Sequence, residues 1–400
     1  MFPKGFFGLG QVCLSETCFP GGCFGNGMCD NSPNSGDLLP KEDSMKTRFQ
    51  RLEPLKGTEQ RVVSLVRFAF VGLASVIAGC GSPDRPEVIV YTALDEPFSQ
   101  PVFDRFRERT GIEVRAKFDT ESTKTVGLTS AIIAERLRPR CDLFWNNEIL
   151  NTLRLQQQGR LRSYQSPAAV AYPDSAKSPS GAWYGFAARA RVLIVNTNLV
   201  PDGSRPQSII DLTDPQWRGQ VGIAKPLFGT TASHAACLFT AWRDGEAKQF
   251  FRNVRENAKI LSGNRQVARA VASGAIAFGL TDTDDAIVEL EKGFPVAIIY
   301  PDQREGELGT LFIPNTLALV KDSPNQDAAE SLVDYLLSEE VEQSLAEGAS
   351  AQVPLNPKVD QAARIETPQT IRAMNVDFEQ AAANWDRART FLVEQFTATD

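Results

Sequence analysis

The stretch "FGLTDTDDA", residues 278–286, sets three carboxylates, Asp282, Asp284 and Asp285, behind an apolar run. Carboxylates this dense have three chemical uses. They can form an all-oxygen site for a hard cation. They can accept hydrogen bonds from the hydroxyl, ammonium or amide groups of an organic ligand. They can also cap the helix that "AIVELEKG" would form, worth about 1 kcal/mol with no ligand at all. An EF-hand is excluded, because the third ligand position falls on Ala286 and no glycine follows it.

A second stretch, "PLFGTTASHAACLF" (226–239), offers the opposite chemistry. If Gly229, Thr230 and Thr231 open a helix, its first N–H groups and two hydroxyls suit a carboxylate, carbonate or phosphate. Ordinary threonine capping is the plainer alternative. Arg189 and Arg191 are two apart on a strand and so share a face. Either can pair with that anion or form a structural ion pair. Lys124, in "ESTKT", is a third cationic candidate. His234, the only histidine, lies three residues before Cys237. The spacing permits shared metal ligation or a Cys–His dyad, but without a third ligand packing is the expected role. No G-x-S-x-G elbow, Walker A loop or HExxH occurs, so no enzymatic activity is expected.

The elements that must position these residues alternate. "EVIVYTA" reads as a buried strand, "FSQPVFDRFRERTG" as a helix stopped by Gly111, and "IEVRAKF" as a strand. "STKTVGLTSAIIAERL" reads as a helix capped by Ser122 or Thr123, and "CDLFW" as a strand leading into "ILNTLRLQQQG". This alternation predicts an α/β fold with largely parallel sheets flanked by helices. "RARVLIVNTN" (189–198) and "LGTLFIPNTLALV" (308–320) are strands placed to cross between two lobes, with a second α/β set between them. Ligands of open α/β sheets sit beyond the carboxyl ends of the strands, so a cleft lined by those loops is expected.

Ahead of this body, "FAFVGLASVIA" (68–78) is too short for a stable span of ~30 Å. Basic residues precede it and Ile77-Ala78-Gly79-Cys80 closes it, the layout of a secretory signal. The ending resembles a bacterial lipobox, which implies a lipid-bearing Cys80. Residues 1–44, with cysteines in no common zinc spacing, are expected to be unstructured, and Met45 is the more natural start. The chain carries 42 basic and 49 acidic residues, a formal charge of −7, which disfavours nucleic acid as a partner. Cys141 and Cys237 allow either a disulfide or two buried thiols.

From 87 to 357 the chain resembles the periplasmic solute-binding proteins of ABC importers, in the subgroup of ferric-iron-binding proteins. The resemblance rests on "VYTALDEPFSQPVFDRFRERTGI", "DLFWNNE", "ARARVLIVNTN", "DLTDPQWRGQVGIAKP", "AVASGAIAFGLTDTDDA" and "LFIPNTLALVKDSPNQDAAESLVDYLLS". It implies a two-lobed type 2 periplasmic-binding fold that closes on a ligand and hands it to a permease and its ATPase, as a monomer and without a resident cofactor. The expected parts are a signal peptide over 45–79, a linker over 80–86, first-lobe segments over 87–188 and 308–400, and a second lobe over 189–307. The resemblance also implies ferric iron as cargo, with first-lobe ligands at Asp95 and Glu148 and an anion on the Thr230–Thr231 loop. Such proteins hold iron with paired tyrosines, which would fall within Thr281–Asp285, and this sequence has none there. Asp95, Glu148, Asp282 and Asp284 are then the metal candidates, and a small anionic or polyhydroxylated organic solute is the alternative cargo.

Overall fold

The computed structural model describes residues 85–120, 123–359 and 364–397. Residues 1–44, the expected signal peptide, Cys80 and Ser122 lie outside them. Among the described residues no helix is long and apolar enough to cross a membrane.

The run "EVIVYT" forms β1 (Glu87–Thr92), with Val88 and Val90 fully buried. Helix α1 (Glu96–Thr110) buries Val102, Phe103 and Phe106, whose spacing puts them on one face. Gly111 ends it in the left-handed region, at φ 73°. β2 (Glu113–Phe118) returns parallel to β1. Helix α2 (Val126–Ala134) starts later than Thr123, and Thr125 before it has φ 68°. Asp119 accounts for the delay: its carboxylate accepts from Thr120 N at 2.8 Å and from the Thr123 hydroxyl at 2.9 Å. That ties the chain into a turn which presents Lys124.

β3 (Leu143–Asn146), α3 (Leu150–Gln157) and β4 (Leu161–Arg162) follow, then the long β5 (Tyr184–Asn196). The next set is β6 (Val221–Ala224), α4 (Gly229–Ala241), α5 (Asp244–Asn257), β7 (Lys259–Leu261), α6 (Asn264–Ala272), β8 (Phe278–Asp282), α7 (Thr283–Glu291) and β9 (Val296–Ile299). β10 (Phe312–Val320) leads to α8 (Gln326–Leu336), α9 (Glu339–Glu347), α10 (Phe378–Ala383) and α11 (Trp385–Thr397).

The strands lie in the order β2-β1-β3-β10-β5-β8-β6-β7, with β4 beside β10 and β9 beside β5. β1 is parallel to β2 and β3, and β6 is parallel to β7 and β8. The long strands β5 and β10 run antiparallel between these sets. From Tyr184 to Ala190, β5 pairs with β10; from Arg191 onward it pairs with β8 and β9. Two lobes therefore share two crossing strands. The crossing is bent, with Ala187 at φ 44° and a register shift between Ile313 and Asn315.

One core gathers Val90, Phe103, Trp145 and Phe186 in the first lobe. A second gathers Val221, Phe239, Phe251 and Phe278, joined by residues of α3, α10 and α11. Beneath the candidate site β6 and β8 approach so closely that a Cβ on Gly279 would sit 2.7 Å from the Gly222 carbonyl. Only glycine fits there. Cys141 and Cys237 are free, buried thiols, and burial raises both.

Candidate functional site

β8 ends on Asp282 and α7 begins at the next residue, so the carboxylates sit where strand turns into helix. One oxygen from each of Asp282, Asp284 and Asp285 falls within 4.8 Å of the others. Their roles differ. Asp282 is consumed within the protein: Arg191 donates to Oδ1 at 2.6 Å, while the Thr230 hydroxyl at 2.5 Å and Asn264 Nδ2 at 2.9 Å donate to Oδ2. Asp284 pairs with Arg189 at 2.9 Å, and burial raises its carboxyl while Arg189 pulls against the rise. Among the described residues Asp285 has one ion pair, a 3.8 Å contact with Arg265. Burial, reinforced by Asp284, pushes its carboxyl well above the usual range.

Around them lies a cleft with about 420 Å³ of empty space, part of it open to solvent. The lining includes Asp95, Lys124, Asn147, Arg189, Lys225, Gly229, Thr230, Thr231, Asn264 and the three aspartates. Across its mouth Asp95 accepts from Lys124 at 2.9 Å and from Arg265. Burial works against the charge on Asp95, but these two cations outweigh it and hold the carboxyl low.

Gly229, at φ 56°, starts α4 and donates its N–H to the Lys124 carbonyl at 3.1 Å. The first bond within α4 runs from Ala232 N to Phe228 O, leaving the N–H groups of Thr230 and Thr231 without a helical acceptor. The two hydroxyls are engaged elsewhere. Thr231 donates to Asn264 Oδ1 at 3.0 Å, and Arg191 donates to both threonines at 3.2 Å. The anion-binding capacity of this loop therefore rests on backbone N–H groups, with Lys225 beside them.

Of the residues singled out in the sequence, Asp95, Lys124, Arg189, Thr230, Thr231 and the three aspartates line one cleft. Arg191 is fully buried behind it. Glu148 is placed outside it. Its carboxylate accepts from Leu150 N at 2.6 Å, Asn151 N at 3.0 Å, Asn146 Nδ2 at 2.9 Å and the Ser233 hydroxyl at 2.7 Å. It holds the start of α3 and touches α4 instead of lining the cleft. His234 is a core residue of α4, its charging opposed by burial and then by Arg191. No tyrosine lines the cleft: Tyr91 donates to Glu135, Tyr184 to the Tyr164 carbonyl, and Tyr300 accepts from Glu366 N.

Reading by residue type missed Asn147, Lys225, Asn264 and Arg265. Asn147 is the most informative. It is 2% exposed, lines the cleft, and its Oδ1 is buried with no hydrogen-bond partner. The signal was its place directly after β3, at a strand's carboxyl end, overlooked beside a charged neighbour.

Residues 142–382 match the family of bacterial extracellular solute-binding proteins. The chain belongs to that family. It is 25% identical over 318 residues to the major ferric iron-binding protein of Neisseria meningitidis, spanning 76% of this chain and 92% of that one. It is 28% identical over 326 residues to iron uptake protein A1 of Synechocystis, spanning 73% and 86%. In fold it is similar to the periplasmic binding protein AfuA of Actinobacillus pleuropneumoniae, solved with fructose-6-phosphate bound. The TM-score is 0.70 at 20% identity, over 78% of this chain and 99% of that one. The architecture is thus the two-lobed one of the periplasmic binding proteins.

Proposed function

We propose that this protein is a lipid-anchored receptor that captures a small organic oxyanion and delivers it to an ABC permease. The anchor in this reading is Cys80, at the end of a lipobox-like signal. The observation that carries the choice of cargo is the charge balance of the cleft. Four carboxylates, Asp95, Asp282, Asp284 and Asp285, meet Lys124, Lys225, Arg189, Arg191 and Arg265. A trivalent cation entering this site would find three of the four carboxylates, Asp95, Asp282 and Asp284, already compensated and no phenolate to bind. An anion finds the Thr230 and Thr231 N–H groups, which have no acceptor within the helix, beside Lys225. The phosphate-bearing ligand of the AfuA structure is in keeping with this chemistry.

Ferric iron is the second reading. It is favoured by the approach of the three aspartates and by the two iron-named relatives. Native mass spectrometry of protein purified without chelators separates the two. An organic-sized mass increment is expected. An iron-sized increment that dithionite removes would establish the second reading and end the first.

A further inference from the structure

Resting on the oxyanion reading, the geometry points to a bipolar cargo: we propose that the solute carries an amino group which Asp285 receives, opposite an anionic end held at the start of α4. Asp282 has Arg191, Asp284 has Arg189, and Asp95 has both Lys124 and Arg265. Two side chains are left poorly matched within the cleft, Asp285 and Lys225. Among the described residues the ion pair of Asp285 is the 3.8 Å contact with Arg265, whose guanidinium is also engaged by Asp95, and the Lys124 charge acts on it as well. Lys225 has no ion pair among the described residues, and it lines the cleft beside the first turn of α4.

A ligand bearing one anionic and one cationic group matches both. A purely anionic ligand would leave the buried Asp285 carboxyl to keep its proton, whereas an ammonium group beside it stabilises the charged form. Asn147 supplies an independent sign that something polar occupies this space. Its side chain is 2% exposed, yet its amide makes no hydrogen bond among the described residues and Oδ1 is buried unpartnered. An amide can present either a donor or an acceptor. It therefore serves the polar middle of a ligand whichever way it is turned.

The test is calorimetry with three probes: inorganic phosphate, 2-hydroxyethyl phosphate and 2-aminoethyl phosphate. The amino compound is expected to bind wild-type protein about ten- to a hundredfold more tightly than the hydroxy compound, the range of one charge-assisted contact. In Asp285→Asn that preference should vanish while binding of the hydroxy compound persists. Equal binding of the two compounds by wild type would overturn the amino-group inference and leave the oxyanion reading standing. A preference that survives in Asp285→Asn would overturn the assignment to Asp285. Binding of ferric citrate, with all three phosphates silent, would overturn both.

Discussion

Arg191 Nη1 lies 2.6 Å from Asp282 Oδ1, and the two side chains are 0% and 3% exposed. The pair sits in register on adjacent strands β5 and β8. With Thr230 and Asn264 closing around it, the network joins β5, β8, α4 and α6 under the cleft floor. Removing one partner strands a buried charge, which costs about 3–5 kcal/mol. Asp282→Ala should therefore lower stability in a urea melt by that order. An unchanged melt with collapsed affinity would place Asp282 against the ligand instead.

Glu148 and Asn147 should behave in opposite ways although they are neighbours. Glu148→Gln disturbs the backbone and side-chain donors that converge on its carboxylate, for about 1–2 kcal/mol of stability with affinity nearly intact. Asn147→Leu removes an amide that makes no internal bond, so it should melt normally. It should bind solute about five- to tenfold more weakly, the loss of one neutral hydrogen bond. Melts and calorimetry on the two variants check this directly, and matching phenotypes would refute the division of labour.

This pair also shows what was legible in the sequence. Periodicity located β1, α1 with its Gly111 stop, and β2, because apolar spacing is set by local geometry. Which side chain of "WNNE" faces the cleft is set by the turn from β3 into α3, and no spacing rule encodes it. The threonine hydroxyls are a similar case. Their type suggested an anion grip, but Arg191 and Asn264 arrive from distant segments and claim them. The late start of α2 depends on Asp119 reaching forward to Thr123, a contact between residues whose types do not announce it.

Asp302 gives a pH dependence. Burial, with Glu307 adding to it, pushes its carboxyl up to about 6 from 3.8. A folded-state value above the unfolded one means stability that is whole below pH 3.8 and lost as pH rises through about 6. At 1.36 kcal/mol per unit, the loss is at most about 3 kcal/mol. Asp302→Asn keeps the shape and the tolerance of φ 63°, but has no proton to lose. Paired urea melts at pH 4 and pH 7.5 should show the Asn variant gaining on wild type at the higher pH. A constant difference would mean that Asp302 does not titrate in this window.

Membrane attachment is a separate matter. If Cys80 carries the lipid, Cys80→Ser should move the protein from the membrane fraction to the soluble one, since acyl chains supply the affinity. Sedimentation of the Ser variant with membranes would remove the lipobox reading without touching the cleft.

Asp95 joins the two lobes. It lies just after β1, where Lys124 of the same lobe holds it at 2.9 Å and Arg265 of α6 reaches it from the other lobe. The Gly229 N–H bond to the Lys124 carbonyl crosses the same gap. These contacts link residues of the two lobes, and partly exposed ion pairs of this kind weaken with salt. Asp95→Asn should therefore shift the ligand-free protein toward an open form, seen as a larger radius of gyration by X-ray scattering. Saturating solute should contract both proteins to the same size, with weaker affinity in the variant because closure is no longer assisted. Raising salt should move wild type toward the variant and leave the variant nearly unaffected. If the ligand-free variant scatters like wild type at every salt concentration, the Asp95–Arg265 contact does not hold the lobes, and closure depends on the solute alone.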